Sequence, residues 1–324
     1  MALRAPAAGL ASACGLALSP LRASTGFPSQ PVRIVVPFSV GLGPDVVVRA
    51  LSQQLARAWP HPVVVDNRPG GTGAVAMIEA RSAPRDGHTL VLGEAGSLAV
   101  LPLIQRHPGY EPLRDFEPLT TVFRATFVLV TGASSRFTDV ASLLAQARSA
   151  SARVSYASFG NGHASQLAVE HFAQRAGVRL HHVPFRDGGQ LLGAVAQGDV
   201  DFTAISMTSA AGFVKSGKLR ALAVAAPRRL KEWPELPTLA QAGGPAVDMT
   251  PWAALMAPAG TPAATLDALR TALAAALESA DVRAKVESMG FEVLRSTPGQ
   301  LVDLIRAESE LARTLIRDGR IATE

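Results

Sequence analysis

Two short glycine-rich segments carry the residues best suited to chemistry in this chain: Gly41-Leu42-Gly43 and Gly160-Asn161-Gly162. Each follows a strand pattern and precedes a helix pattern. At such a junction the first backbone N–H groups of the helix have no intrahelical acceptor, and the positive end of the helix dipole adds to them. A small anion suits that place. Glycine leaves the backbone bare, so a ligand can approach closely. Ser158, His163 and Ser165 add side-chain polar groups around the second segment. One such loop says little, and the same glycines would serve equally well as tight turns. Two of them, in separate halves of the chain, predict a pincer on one carboxylate, or on two carboxylates of one ligand.

Enzyme motifs fit poorly. Gly41-x-Gly43-x-x-Val46 lacks the third glycine of a dinucleotide fingerprint, and only Asp66 could serve as the acidic residue ending the second strand. Gly212 to Gly217-Lys218 imitates a phosphate loop, but Leu219 stands where Ser or Thr would hold magnesium. There is no G-x-S-x-G elbow. The seven histidines show no H-E-x-x-H spacing. The single cysteine, Cys14, excludes a disulfide within the monomer and a thiolate zinc site. The missing nucleophile, metal and cofactor motifs disfavour an enzyme.

The elements that would position these loops alternate between strand and helix. Val32 to Val36 is a β-branched run; a helix with Val47, Ala50, Leu51 and Leu55 on one face follows Pro44-Asp45. Val63 to Val65, a helix from Ala74 to Ala83 after Gly70-Gly71-Thr72-Gly73, and Thr89 to Leu92 complete a β-α-β-α-β pattern. A second series runs through strands near Phe127 to Thr131, Val154 to Ala157, Leu180 to Val183, Val200 to Ile205 and Lys218 to Val224, with helices between them. Trp252 to Ala257 reads as a strand. One helix is expected from Thr261-Pro262 to Gly290 and another from Thr297-Pro298. The tail helices need a sheet to cover, so the chain should return to the first domain near Thr250. The reading is an α/β protein of two domains, each a mainly parallel sheet flanked by helices. Residues 26–127 with 251–324 form the first domain and 128–250 the second. Two hinge crossings then place a cleft where the strand-end loops meet.

Composition agrees. The 324 residues are 48% hydrophobic and 18% charged, which supplies aliphatic mass for two cores. The net charge of +5 is scattered, and its densest spot, Arg228-Arg229 with Lys231, lacks the aromatic partners of a nucleic-acid groove. No nucleic-acid partner is expected. Residues 1–25 have the layout of a secretory signal: Arg4, a short apolar run from Ala7 to Leu18, then small residues. That run is too short to span a bilayer.

Specific segments resemble the tripartite tricarboxylate transporter substrate-binding family, the Bug-type periplasmic receptors. They include Pro31 to Phe38 with Gly41-x-Gly43-x-Asp45, Val63 to Gly71, Asp86 to Leu90, Tyr156 to Gly162, His182 to Phe185, Gly217 to Val224, Leu236 to Thr238 and Ala257 to Pro262. The likeness runs through the chain after the signal. It implies a type II-like, two-domain periplasmic binding protein, with no catalytic residue, no cofactor and no metal, that holds a small organic carboxylate mainly by backbone N–H groups. It also implies delivery to a large and a small integral membrane transporter subunit, by a monomeric receptor. By resemblance the binding residues are Phe38, Gly41, Gly43 and Asp45 in the first loop, Ser158, Gly160, Asn161, Gly162 and Ser165 in the second, and Phe185 and Arg186 beyond Pro184. Leu42, Ser97, His163 and Ser206 fall beside them and complete the candidate set.

The chain departs from the family pattern within this set. Leu42 and Pro44 interrupt the first loop and remove a backbone donor. Glu94 stands where a small polar residue is common. It either faces the cleft, where it opposes a polyanion and suits a donor or positive group, or lies exposed at the cleft mouth. Ile205 and Ser206 fall where the family often has more polar residues, which would make that wall drier. A sensory receptor that presents its closed form to a signalling partner remains the alternative to transport.

Overall fold

The computed structural model describes residues 26–149, 153–248 and 250–324, so the expected signal segment lies outside the described residues. The first lobe opens with β1 (Val32–Val36), α1 (Gly43–Ala58), β2 (Val63–Asn67), α2 (Ala74–Arg81) and β3 (Thr89–Glu94). A wide helical turn, Gly96–Val100, runs into α3 (Leu101–Ile104); α4 (Pro112–Asp115) and β4 (Phe116–Ala125) follow. The second lobe holds β5 (Phe127–Gly132), α5 (Val140–Arg148), β6 (Ser155–Ser158), α6 (Ala164–Ala176), β7 (His181–Pro184), α7 (Gly188–Gln197), β8 (Phe202–Ser206), α8 (Met207–Lys215) and β9 (Leu219–Val224). The chain then returns through β10 (Trp252–Pro258), α9 (Ala263–Glu278), α10 (Ala280–Ser288), β11 (Phe291–Val293) and α11 (Pro298–Arg317).

Strand alternation makes the cores. In β1, Val32, Ile34 and Val36 face one apolar cluster and Val35 faces the other. Val47, Val48, Leu51 and Leu55 of α1 cover the first face. The second sheet is covered in the same way: Leu129 and Tyr156 pack with α5 and α6, while Val128 and Val130 pack with α7 and α8. Asp139 closes α5 with a capping box, and Thr297 does the same for α11.

The sheets are mixed rather than mainly parallel. The first has the order β11-β4-β10-β3-β1-β2 and the second β7-β6-β8-β5-β9. β2, β1 and β3 are parallel, as are β7, β6 and β8, but β10 is antiparallel to β3 and β5 to β8. The cause is the crossings. A strand that enters a lobe from the other one starts at the edge where the parallel strands end, so it must run against them. The helix expected from Thr261 to Gly290 is two helices, because Ser279 ends α9 and its hydroxyl accepts the Val282 N–H to start α10.

Candidate functional site

The topology sets one rule for both lobes. The connections after β1, β2 and β3 leave the carboxyl ends of adjacent parallel strands, and so do those after β6, β7 and β8. These two edges touch. Thr72 Oγ1 donates to the Asn161 carbonyl at 3.4 Å, and Glu94 Oε2 lies 3.9 Å from His163 Nε2. A Cβ on Gly96 would stand 3.0 Å from the Gly162 carbonyl, and one on Gly162 would stand 2.7 Å from Ile104 Cδ1. A Cβ at Gly96 would press on the facing backbone, and Gly162 itself adopts φ +77°, so both positions favour glycine.

The second-lobe loop is held from beneath. Ser158 is fully buried at the end of β6. Its hydroxyl accepts the Gly160 N–H at 3.2 Å and pairs with His182 Nε2. His182 Nδ1 lies 3.1 Å from Gln166 Nε2, and Gln166 Oε1 accepts the Gly162 N–H at 2.7 Å. The His182 ring stacks on Tyr156 at 5.1 Å, while His181 is exposed. Burial, with a smaller contribution from His181, lowers His182 to about 4. Gly160 has φ +120°, a conformation that L side chains rarely adopt.

His163 is the N-cap of α6. Its Nδ1 accepts the Ser165 N–H at 3.1 Å and faces Ser165 Oγ at 2.8 Å, while that Oγ accepts the Phe159 N–H. These bonds place the ring proton on Nε2, which points across the cleft. Most of the donors expected for a ligand are therefore committed inside the loop. The amides of Asn161 and Ala164 make no hydrogen bond among the described residues.

In the first loop Asp45 organises the backbone. It is 1% exposed, and its carboxylate accepts from the Gly41 N–H (2.8 Å), Arg49 Nε (3.0 Å) and Asn67 Nδ2 (2.8 Å). Burial alone would raise this carboxyl, but the donors hold it below the usual carboxylate range. Asn67 also donates to the Phe38 carbonyl. Leu42, 52% exposed, is an N-cap without a side-chain acceptor, so the Gly43 and Asp45 amides at the start of α1 stay uncapped. Phe38 packs at the margin of the first core. Ser97 closes the end of β3: its hydroxyl accepts the Glu94 N–H at 3.0 Å and donates to the Glu94 carbonyl. Ser206 caps α8. The Phe185 N–H donates to the Ser158 carbonyl, and Arg186 is exposed.

The loop that meets Gly160–Gly162 is the one after β2. Thr72 adopts φ +53° between Gly71 and Gly73, which is rare for a β-branched residue. This turn aims its hydroxyl at the second lobe. In the sequence Gly70-Gly71-Thr72-Gly73 reads only as a helix start, although its density of glycine is the one signal of this turn. Glu94 faces the cleft. It is 8% exposed, and burial raises it to about 7. Burial lowers His163 to about 4, so the imidazole and the carboxyl that the 3.9 Å distance would pair are not both ionised. Two surface depressions, of about 410 and 370 Å³, lie elsewhere, one beside Phe213 and Lys218 and the other beside Arg81, Arg85 and Arg114.

Two α/β lobes whose strand-end loops face each other define a two-lobed solute-binding protein. The family described as "TctC: Tripartite tricarboxylate transporter family receptor" matches residues 47–320, and the chain belongs to that family. It is 34% identical over 314 residues to the UPF0065 protein in the tcbD-tcbE intergenic region of Pseudomonas sp. (strain P51), covering 95% of this chain and 93% of that one. Rpa4515 of R. palustris, solved with adipate, superimposes with a TM-score of 0.82 at 30% identity, over 92% of this chain and 100% of that one. MatC (Rpa3494) of Rhodopseudomonas palustris, with bound malate, gives 0.78 at 28% identity, over 90% and 100%. Among the described residues no helix is long and apolar enough to cross a membrane.

Proposed function

We propose that this protein is an exported periplasmic receptor, without catalytic activity, that closes on a small organic carboxylate and delivers it to a membrane transporter. The lobes are residues 26–127 with 251–324 and residues 128–250, and they move about the two crossings as a monomer. The observation that carries the reading is the meeting of the β6–α6 loop with Thr72 and Glu94–Gly96 at facing strand ends. The uncapped amides of Gly43, Asp45, Asn161 and Ala164 are donors for an anion there. The likeness to proteins solved with adipate and malate supports carboxylate as the ligand class. The receiving transporter would have one large and one small integral membrane subunit, as the family resemblance implies.

Closure follows from differential binding. The open form offers the donors of one lobe, and the closed form offers both, so a ligand that spans them shifts the population toward closure. A thermal-shift screen against mono-, di- and tricarboxylates tests the proposal. A dose-dependent rise in midpoint with at least one acid is expected. Midpoints unmoved by all of them would refute it.

A further inference from the structure

The meeting face contains a mismatched pair. The Glu94 carboxylate receives no hydrogen bond from a described residue, although it is 8% exposed. It is not free to swing away as a loop residue would. Its own N–H and C=O are both bonded to Ser97 Oγ, and it lies in β3 opposite Ala253 of β10. Facing it is His163 Nε2, whose proton is fixed by the two bonds at Nδ1. The titratable groups beside Glu94 are His163 and Tyr110; the Tyr110 hydroxyl donates to the Ser97 carbonyl, and burial keeps it protonated. A buried carboxylate and a ring donor 3.9 Å apart are too far for a direct bond. An oxygen lying off the line between them is within hydrogen-bond distance of both.

That oxygen must accept from Nε2–H and donate to the carboxylate. A hydroxyl does both. Once Glu94 is ionised, above about pH 7, a second ligand carboxylate accepts but cannot donate, and it would be repelled by Glu94. An ammonium donates but cannot accept from His163. We infer that Glu94 and His163 together read a hydroxyl on the ligand, so that the receptor prefers a hydroxycarboxylate over the same acid without its hydroxyl. The inference rests on the carboxylate-receptor reading above. Because the uncapped amides of Asn161 and Ala164 flank His163 in the same loop, the hydroxyl should sit on the carbon next to the bound carboxylate or one further.

Calorimetry at pH 8, where Glu94 is ionised, tests this with matched probes: lactate against propionate, malate against succinate, and 2-hydroxyglutarate against glutarate. The full-length mature protein should bind at least one hydroxy acid roughly tenfold or more tighter than its partner, the range of a hydrogen bond to a charged group. Glu94→Ala should bring that ratio close to one. His163→Asn should do the same, since Asn still caps α6 but offers no ring donor; this second variant guards against misfolding of the first. Equal binding of both members by the wild type, or a ratio unchanged in both variants, would overturn the inference. That includes the case in which water occupies the gap. Binding of carboxylates without preference overturns the hydroxyl reading alone. Failure to bind any carboxylate removes the receptor reading and the inference with it.

Discussion

Replacing Glu94 with Gln should stabilise the protein progressively as pH rises above 4.5 and leave it unchanged below that. Burial raises this carboxyl from its ordinary 4.5 to about 7, with no cation to compensate it. Between those values the folded protein keeps a proton that the unfolded chain has lost. Stability therefore falls as pH rises through this window. At about 1.36 kcal/mol per pH unit, the loss accumulates to about 3 kcal/mol by pH 7 and stays constant above it. Opening of the lobes hydrates Glu94, so the cost of opening caps the observed figure. Gln keeps the shape and cannot ionise. Denaturant unfolding of wild type and Glu94→Gln at pH 4.5, 6, 7 and 8 measures the difference directly. The variant should match the wild type at pH 4.5 and exceed it by up to about 3 kcal/mol at pH 8. A difference that does not vary with pH, or that grows toward acid, would refute a buried, uncompensated Glu94.

Three further substitutions test other parts of the site. Gly160→Asp places charge and bulk where φ is +120° and should reduce carboxylate affinity by calorimetry more than about 100-fold, while Gly160→Ala should cost about 1–3 kcal/mol of stability from backbone strain. Arg320→Ala leaves Glu170 buried without its cation, 3.5 Å away in the present structure; denaturant melts should show a loss of about 3 kcal/mol, and adding Glu170→Gln should recover much of it. His182→Gln should flatten the acid limb of the stability profile. His182 is held neutral down to about 4, so the unfolded chain binds the extra proton and stability is lost as pH falls from 6.5 toward 4.

The strands and helices beside the cleft were legible because their patterns are strong and local. The β-branched run of Val32–Val36 and the apolar face of Val47, Leu51 and Leu55 predict β1 and α1 directly. Strand direction is not encoded in periodicity, which is why β5 and β10 emerged antiparallel only from the structure. β4 was hidden by Glu117, Pro118 and Arg124; Pro118 is tolerated where the pairing with β10 shifts register at Leu255/Met256. Short β11 likewise depends on its partner, pairing only along β4. The glycine loops predict anion binding, but the sequence could not show that the Gly160 and Gly162 amides are taken up by Ser158 and Gln166. Nor could it rank Thr72 above Gly41 as the partner across the cleft, because that depends on how two distant lobes meet. Glu94 was open between two orientations, and burial against His163 settled it.

The C-terminal segment adds a link between lobes that no local motif signals. Arg179 donates to the Asp318 and Gly319 carbonyls, and Asn161 Nδ2 donates to the Ala322 carbonyl. Ala164 and Leu167 of α6 belong to an apolar cluster of the first lobe. The site loop is thus anchored on one side by the chain terminus and meets Thr72 and Glu94 on the other.

A crystal structure of the protein soaked with the acid that raises its thermal midpoint most would test the cleft itself. The account predicts that acid between the Asn161–Ala164 turn and the Thr72, Glu94–Gly96 face, with its carboxylate on backbone amides. An acid bound instead in the depression beside Arg81, Arg85 and Arg114, with the cleft empty, would contradict it.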